Sequence, residues 1–266
     1  RRAAVFCPDL AMARFFLNTV NSLVSLALVL VLCLAGAYSA YALWDNSRIY
    51  AAAENVQADM IKLKPETAGD SGPSFAELLA VNDDVCGWVS LDNTGIDYPV
   101  LQGETNLSYI NTDVYGNFAL AGSIYLDSRN DKAFGDPYNL LYGHHMDNGR
   151  MFGDLDLYKD LKFFNENTTG SLILPDGTYD LEIFACMLVV ASDDYIFEPE
   201  LWQADIQGLL PYVRENAMHL HEDALAALEQ SGGRILSLST CSTEYTDART
   251  IVLAVMHPCL PGEKEG

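Results

Sequence analysis

The pattern of apolar and polar positions separates an apolar N-terminal segment from a longer region of short apolar runs. Residues 15–44 contain no Asp, Glu, Lys or Arg, and residues 24–43 are their most apolar part. A helix of about 20 apolar residues is long enough to cross a bilayer. Arg1, Arg2 and Arg14 precede this segment. Basic residues favour the cytoplasmic side, so the pattern predicts a single-pass anchor in the cell membrane with the remaining chain extracellular.

The alternative interpretation of the apolar segment is a cleaved signal peptide. Ala40-Tyr41-Ala42 fits the small-x-small pattern of a cleavage site. Apolar cores of signal peptides usually have about 7–15 residues, and this segment is longer, which favours a retained anchor. The chain opens with Arg1, and Met12 is an alternative start.

After the apolar segment, the composition first predicts a helix over 45–64 and then a Pro-, Gly- and Ser-containing linker over 65–74. No internal repeat is evident. The predicted regions are a cytoplasmic N-terminus (1–14), a transmembrane signal anchor (15–44), a helical stalk and linker (45–74), a main domain (75–258) and a C-terminal tail (259–266).

The main domain has the periodicity of a β protein with inserted helices. Residues 92–95 (DNTG) and 175–178 (PDGT) predict hairpin turns. Helical patterns occupy 152–165 and 201–230, and Pro211 is expected to break or bend the second one early. The apolar runs are short and only partly alternating, as expected of a closed eight-stranded barrel with a packed interior. The eight runs are residues 86–91, 96–101, 123–126, 138–142, 171–174, 179–190, 234–241 and 250–256.

Composition and charge exclude several classes of protein. Of 266 residues, 11% are aromatic and 20% are charged, which excludes a wholly disordered chain. The formal net charge is −22, which argues against a nucleic-acid partner, because such binding needs a basic face. Six cysteines in this length do not make a disulfide framework.

One cysteine stands where a nucleophile would be both accessible and rigidly held. Cys241 ends the apolar run RILSLSTC and precedes a polar loop, and Arg249 follows at the start of the next run. If the two strands pair through this loop, Cys241 and Arg249 lie opposite each other, and the guanidinium can stabilise a thiolate and an oxyanion. The alternative is a buried, unreactive cysteine. Cys186 lies among apolar residues and is predicted to belong to the core, and Cys86 is predicted to lie in the core or at a strand edge.

The histidines offer a partner for such a thiol. His144 and His145 are adjacent at a strand end, and alternating strand residues point to opposite faces, so one of them at most faces a shared pocket. His219 and His221 do not share a helix face, so no metal site is expected from them. His257 is an alternative partner, but it lies at the far end of the last strand.

The motifs around these residues, taken together, resemble those of class B sortases over residues 75–256. The sequence LSTC (238–241) with Arg249 resembles the sortase cysteine signature. The sequence NLLYGH (139–144), followed by Met146, Gly149, Met151, Phe152, Gly153 and Leu155, is similar to the histidine motif of class B. Further similar motifs are Asn82-Asp83, Gly87-Trp88-Val89, IDYPV (96–100) with Gln102, and GSIYLD (122–127).

The resemblance implies a membrane-anchored cysteine transpeptidase with a sortase-type barrel and no cofactor or metal. Such an enzyme cuts a C-terminal sorting signal of a secreted protein through a thioester. It then transfers the protein to an amine of a peptidoglycan precursor or a pilin. The implied catalytic residues are Cys241 as nucleophile, His144 as general acid and base, and Arg249 as oxyanion or substrate-positioning cation; the expected substrate-binding residues are Thr240, Ser239, Tyr142 and Glu244.

Two alternatives to transpeptidation stay open from the sequence. A thiol protease that only hydrolyses its substrate would use the same three residues, and a non-catalytic surface barrel would bury Cys241. One departure from the family pattern concerns the residue after His144, which is commonly Asn and is here His145. We expect His145 to be a solvated neighbour of the site.

Overall fold

A computed structural model of the chain describes residues 8–65, 74–241 and 248–259, with the backbone alone for residues 8–11 and Cys241. Residues 1–7, most of the predicted linker (66–73) and most of the tail (260–266) lie outside the described residues. Contacts divide the chain into two compact units, Arg1–Arg48 and Ile49–Gly266.

The first unit consists of the N-terminal part of one long helix, α1 (Pro8–Ile61). This helix contains the apolar segment as predicted and has an 18-residue window of mean hydropathy 2.3, so it is long and apolar enough to cross a membrane. At the end of the apolar segment, the guanidinium of Arg48 lies 5.0 Å from the ring centre of Trp44. The side chains of the apolar window are exposed.

The second unit is a closed β-barrel. Eight strands follow one another around it in the order β10, β9, β4, β3, β2, β1, β6 and β7, and β7 pairs again with β10. Two-residue strands β5 and β8 pair at the edges with β4 and β7. The strands are β1 (Val85–Leu91), β2 (Asp97–Leu101), β3 (Ile124–Leu126), β4 (Tyr138–Met146), β5 (Arg150–Met151), β6 (Thr169–Leu174), β7 (Gly177–Val190), β8 (His219–Leu220), β9 (Ile235–Cys241) and β10 (Ala248–Pro258).

Both predicted hairpin turns are confirmed. Asn93 adopts a φ of 59°, a conformation that Asn tolerates better than most residues. The hydroxyl of Thr94 donates to the Leu91 carbonyl over 2.8 Å and accepts from the Ile96 amide, which closes the turn between β1 and β2. Leu174 and Gly177 pair at the turn between β6 and β7. The turn residues thus place the strand ends where the sequence predicts them.

Three apolar clusters hold the unit together. One fills the barrel and contains residues from all eight barrel strands, among them Leu141, Leu238 and Val252. A second lies outside β4, β7, β9 and β10, beneath the helices inserted after β7. A third lies outside β1 and β2, where Met60 at the end of α1 packs near Trp88. Residues 49–61 of α1 therefore belong to the barrel unit.

Short helices cover the barrel, and two of the helical predictions were wrong in detail. The pattern over 152–165 forms a 3₁₀ helix (Gly153–Lys159) followed by α3 (Leu161–Glu166), because the Asp160 side chain caps a new helix by accepting from the Phe163 amide. The remaining helices are α2 (Phe75–Val81), two 3₁₀ turns (Asp147–Gly149 and Pro199–Trp202), α4 (Asp194–Phe197), α5 (Leu209–Asn216) and α6 (Glu222–Ser231).

The predicted helix over 201–230 is instead four elements: the end of the 3₁₀ turn, α5, the two-residue strand β8 and α6. Pro211 does not break α5 because it lies in its first turn, where no amide donor is required. Between α5 and α6 the backbone pairs instead with β7, as the Met218 amide donates to the Cys186 carbonyl and the His221 amide to the Phe184 carbonyl, each over 2.8 Å. These tertiary hydrogen bonds outweigh the helical pattern of the segment.

Candidate active site

Three predicted residues occupy neighbouring positions on three adjacent strands. Cys241 on β9 pairs with His144 on the parallel strand β4. On its other side, Cys241 pairs with Arg249 on the antiparallel strand β10. Adjacent strands lie about 4.8 Å apart, so this register puts the three backbone positions in one row. We call His144, Cys241 and Arg249 the catalytic row, after the role that we propose for them below.

The row lies on the outer face of the barrel, on the side of the second apolar cluster. Val189 on β7 pairs with Arg249, is 7% exposed, and packs in the exterior cluster beneath the inserted helices. One step along β4, Gly143 has no room for a side chain, because an added Cβ would lie 2.5 Å from Ile124 and 2.7 Å from Phe152. The row therefore lies on a rigid wall next to a packed apolar layer.

The imidazole of His144 is held by a backbone carbonyl. Its Nε2 lies 2.7 Å from the oxygen of Ile110, in the segment between β2 and β3. A carbonyl oxygen only accepts, so Nε2 carries the proton in this contact. The ring is half-buried. This contact sets both the tautomer and the orientation of the ring.

Arg249 is half-buried at the start of β10. Its Nη1 donates to the carbonyl of Ala248 over 3.0 Å. A guanidinium has five donors in a planar fork, so this contact leaves further donors for other groups. Arg249 can therefore bind a carbonyl or oxyanion next to its own strand.

The predicted substrate-binding residues differ in how accessible they are. Tyr142 and Ser239 pair with each other two positions before His144 and Cys241, but only Tyr142 is partly exposed, since Ser239 is 2% exposed. Thr240 is fully buried, and its hydroxyl has no hydrogen-bond partner among the described residues. Glu244 lies outside the described residues.

Tyr142 is fixed by a buried carboxylate that the sequence analysis did not single out. The Tyr142 hydroxyl donates to Asp127 Oδ2 over 3.0 Å, and its ring stacks on Phe197 at 6.3 Å. Asp127 is fully buried, and burial alone would raise its pKa, but hydrogen bonds from Arg129 and Asn106 hold the pKa below its usual range. The motif GSIYLD contained Asp127, but only the fold shows that it reaches Tyr142.

Arg129 connects the Tyr142–Asp127 pair to the helices inserted after β7. Its guanidinium donates to Asp127, to Glu198 and to the carbonyl of Phe197, with distances of 2.5 to 2.9 Å. The interactions join the segment after β3 to the end of α4. They hold the wall beside Tyr142 in place, and so define one side of the surface next to His144.

The other described cysteines of the barrel do not suit a nucleophile. Cys86 and Cys186 are buried, as predicted, and burial raises the pKa of each to about 12. A thiol with that pKa is almost wholly protonated at neutral pH. Cys259 lies beyond the end of β10, away from the catalytic row.

The remaining histidines have other contacts. His257 is exposed at the far end of β10 and pairs with Glu182 at 2.8 Å. His219 contacts the carbonyl of Lys159 at 2.8 Å, and His221 stacks on Phe164 with ring centres 4.4 Å apart. Within the described residues, no group of three or more His, Cys, Asp or Glu is arranged to hold a metal ion.

The expectation that His145 is solvated was wrong. Its side chain is 17% exposed, and Nε2 lies 3.1 Å from Asp156 Oδ2. Strand alternation sends it to the face opposite His144, as predicted, but at this end of the barrel that face is covered by the 3₁₀ helix Gly153–Lys159. The sequence pattern did not reveal that the carboxylate of Asp156 on this helix lies next to His145.

The fold has counterparts among solved structures. No protein-family model matches the chain. A class B sortase of Streptococcus pyogenes involved in pilus biogenesis is 37% identical, with a TM-score of 0.62 over 69% of this chain and 97% of that one. A Staphylococcus aureus sortase B–substrate complex is 27% identical, with a TM-score of 0.63 over 81% of this chain and 97% of that one.

A curated relative decides the family. Sortase B of Listeria monocytogenes is 33% identical over 187 residues, which are 69% of this chain and 74% of the relative. The chain belongs to the class B sortases. As a class B sortase it is a cysteine transpeptidase. The closed eight-stranded barrel predicted from the apolar runs is confirmed by these structures.

Proposed function

We propose that this class B sortase cleaves a C-terminal sorting signal of secreted proteins and transfers the protein to an amine of the cell wall or of a pilin. The observation that supports this most is the catalytic row, because the strand register brings His144 and Arg249 to either side of Cys241. Thiol acyl transfer needs a nucleophile, a proton carrier and a donor for the oxyanion. The row contains one residue of each kind.

In the first step, the thiolate of Cys241 attacks the scissile carbonyl of the sorting signal and forms a carbon–sulfur bond. Arg249 donates hydrogen bonds to the oxygen as its negative charge develops. His144 gives the proton on Nδ1 to the leaving amine, while Nε2 stays on the Ile110 carbonyl. The carbon–nitrogen bond breaks, the C-terminal fragment departs, and a thioester remains on Cys241.

In the second step, the acceptor amine attacks the thioester. His144, now neutral at Nδ1, takes a proton from the attacking amine. The carbon–sulfur bond breaks, the thiolate is restored beside the imidazolium, and a new amide is released. Water in place of the amine would give hydrolysis with the same three residues, so the acceptor alone separates the transpeptidase from a protease.

The exposure of each predicted substrate-binding side chain decides which of them can contact the substrate directly. Tyr142 lies two residues before His144 and is partly exposed, so we propose that its ring contacts the sorting signal. Ser239 and Thr240 have buried side chains, so their contribution to binding comes from the backbone. Glu244 stays a predicted contact from the loop after Cys241.

Arg249→Lys is expected to lower kcat/KM nearly as far as Arg249→Ala. Lysine keeps the positive charge but loses the planar fork that hydrogen-bonds a carbonyl from two directions. Loss of one oxyanion donor costs about 10²–10³ in rate. The measurement is kcat/KM on one sorting peptide, with folding checked by thermal melting.

The matched control is Arg214→Lys. Arg214 on α5 forms exposed ion pairs with Glu222 and Glu229 on α6, and exposed pairs contribute little to stability. This control should retain wild-type activity. An Arg249→Lys enzyme within about threefold of wild type would show that Arg249 acts through its charge alone.

The substrate class and the acceptor are tested together with a peptide library of sorting signals and two amines. One amine is an oligoglycine, as a mimic of a cell-wall precursor, and the other is a lysine side chain, as a mimic of a pilin. The second is included because the S. pyogenes structure is of a sortase involved in pilus biogenesis. We expect mass spectrometry to detect a new amide with one amine. Cleaved peptide without any amide product would favour the protease.

Anchoring in the cell membrane with an extracellular barrel is the proposed location. The apolar helix and the basic residues before it support this topology. Protease added to intact cells is expected to remove the barrel unit and leave an anchor fragment in the membrane. A mature protein that begins at Leu43 would instead show cleavage after Ala42 and release of the domain.

A further inference from the structure

A second row of polar residues lies directly behind the catalytic row. Thr250 follows Arg249 on β10, and its hydroxyl donates to Asp156 Oδ1 over 2.7 Å. His145 follows His144 on β4, and its Nε2 lies 3.1 Å from Asp156 Oδ2. The carboxylate of Asp156 therefore hydrogen-bonds to both β4 and β10. On each strand its partner is the residue next to a member of the catalytic row. We call His145, Asp156 and Thr250 the Asp156 bridge.

The bridge spans the strand that bears the nucleophile. β9 lies between β4 and β10, and Thr250 pairs with Thr240, the residue before Cys241. Among the described residues, the pairing of β9 with β4 ends at His144 and its pairing with β10 ends at Arg249, so β9 does not join the two strands beyond the catalytic row. Asp156 connects them on the side of the barrel interior.

Asp156 is itself held in place. It lies in the 3₁₀ helix Gly153–Lys159, whose Leu155 and Tyr158 are fully buried in the barrel cluster. Burial alone would raise the pKa of Asp156, but hydrogen bonds from Lys159 and Thr250 hold it below its usual range. The carboxylate is therefore charged at neutral pH. Since a carboxylate only accepts, Nε2 of His145 is the donor in this pair.

We propose that the Asp156 bridge positions His144 and Arg249 on either side of Cys241, and that His145, Asp156 and Thr250 are positioning residues for acyl transfer. The inference rests on the proposed function of the catalytic row. Its physical basis is that a displacement of about 1 Å of a reacting group costs up to about 10²-fold in rate. A carboxylate that ties two strands together at the residues next to the row limits such displacement.

The test uses two pairs of variants in the full chain. His145→Leu removes the donor to Asp156, and His145→Gln keeps an amide donor near the position of Nε2. Thr250→Val removes the hydroxyl with little change in volume, and Thr250→Ser keeps it. We expect the Leu and Val variants to lower kcat about tenfold with KM within threefold of wild type, and the Gln and Ser variants to recover most of the activity.

The control is Thr169→Val on β6. Thr169 donates to Asp92 over 2.5 Å, so the substitution removes the same kind of hydrogen bond from a strand outside the catalytic row. It should leave kcat unchanged. A thermal melt of every variant separates loss of positioning from loss of folding.

The outcomes separate this inference from the proposed function. Wild-type kcat in both His145→Leu and Thr250→Val, while the wild-type enzyme cleaves sorting peptides, would overturn the positioning role alone. The positioning role would also be overturned if His145→Gln and Thr250→Ser lost as much kcat as His145→Leu and Thr250→Val. Unfolding of both His145→Leu and Thr250→Val would overturn it as well, because the bridge would then serve stability. A wild-type enzyme that cleaves no sorting peptide overturns the proposed function and this inference together.

Discussion

Cys241→Ala is expected to abolish cleavage of sorting peptides and leave the barrel folded. The thiolate forms the bond to the scissile carbonyl, and no other group on the catalytic row can take its place. The substitution removes one sulfur atom at the end of β9, so the strand pairing with His144 and Arg249 should persist. The measurement is turnover of one peptide by the purified enzyme, with the melting temperature recorded beside it.

The matched control is Cys259→Ala. Cys259 is half-buried and follows the far end of β10, so this variant should cleave at the wild-type rate. A non-catalytic binding barrel gives a different result, because it would keep its function without the thiol. Turnover by Cys241→Ala comparable to wild type would contradict the proposed nucleophile.

His144→Ala should lower kcat/KM by at least about 10²-fold, the usual scale of general acid and base catalysis. The physical reason is the proton on Nδ1, which the leaving amine needs and for which the row has no other carrier. Ile110 holds Nε2, so a ring in this place is oriented for one proton transfer at one nitrogen. The loss should exceed the loss from His145→Leu by about tenfold or more, because His145 acts through Asp156.

His257→Ala is the control for this prediction. His257 is exposed, pairs with Glu182 and lies at the opposite end of β10 from Arg249. Its removal should leave kcat/KM unchanged. If His145→Leu lost more activity than His144→Ala, the assignment of the general acid and base would be wrong by one residue.

The barrel was predictable because its strands are bounded by residues with local preferences. The turn at 92–95 uses an Asn with positive φ and a Thr side chain that closes the turn, and both are readable from the sequence. The eight apolar runs correspond to the eight barrel strands. The two-residue strands β5 and β8 were not predictable, because their formation depends on partners in β4 and β7 rather than on their own composition.

The helical predictions failed where tertiary hydrogen bonds replaced helical ones. Residues 217–221 fit a helical pattern, but the amides of Met218 and His221 donate to carbonyls of β7. No local signal shows that these carbonyl partners are near. The same reason explains why the break falls after α5 and not at Pro211.

The three residues of the candidate site were predictable from the sequence, but the hydrogen bonds that hold them in place were not. Cys241, His144 and Arg249 were identified from strand ends and a family resemblance, and the register brings their backbones together as expected. The supporting contacts link residues far apart in the chain, such as Thr250 with Asp156 and His144 with Ile110. A pattern of single positions does not show such pairs, so His145 was taken for a solvated residue.

The central claim is that Cys241 carries the acyl group between the sorting signal and the amine. The most direct test is the mass of the full chain after brief reaction with a sorting peptide in the absence of amine, followed by acid quenching. We expect an added acyl mass that peptide mapping locates on Cys241. This mass should disappear, and an amide product should form, when the amine is added. An unchanged enzyme mass during turnover, or an acyl group on a residue other than Cys241, would contradict it.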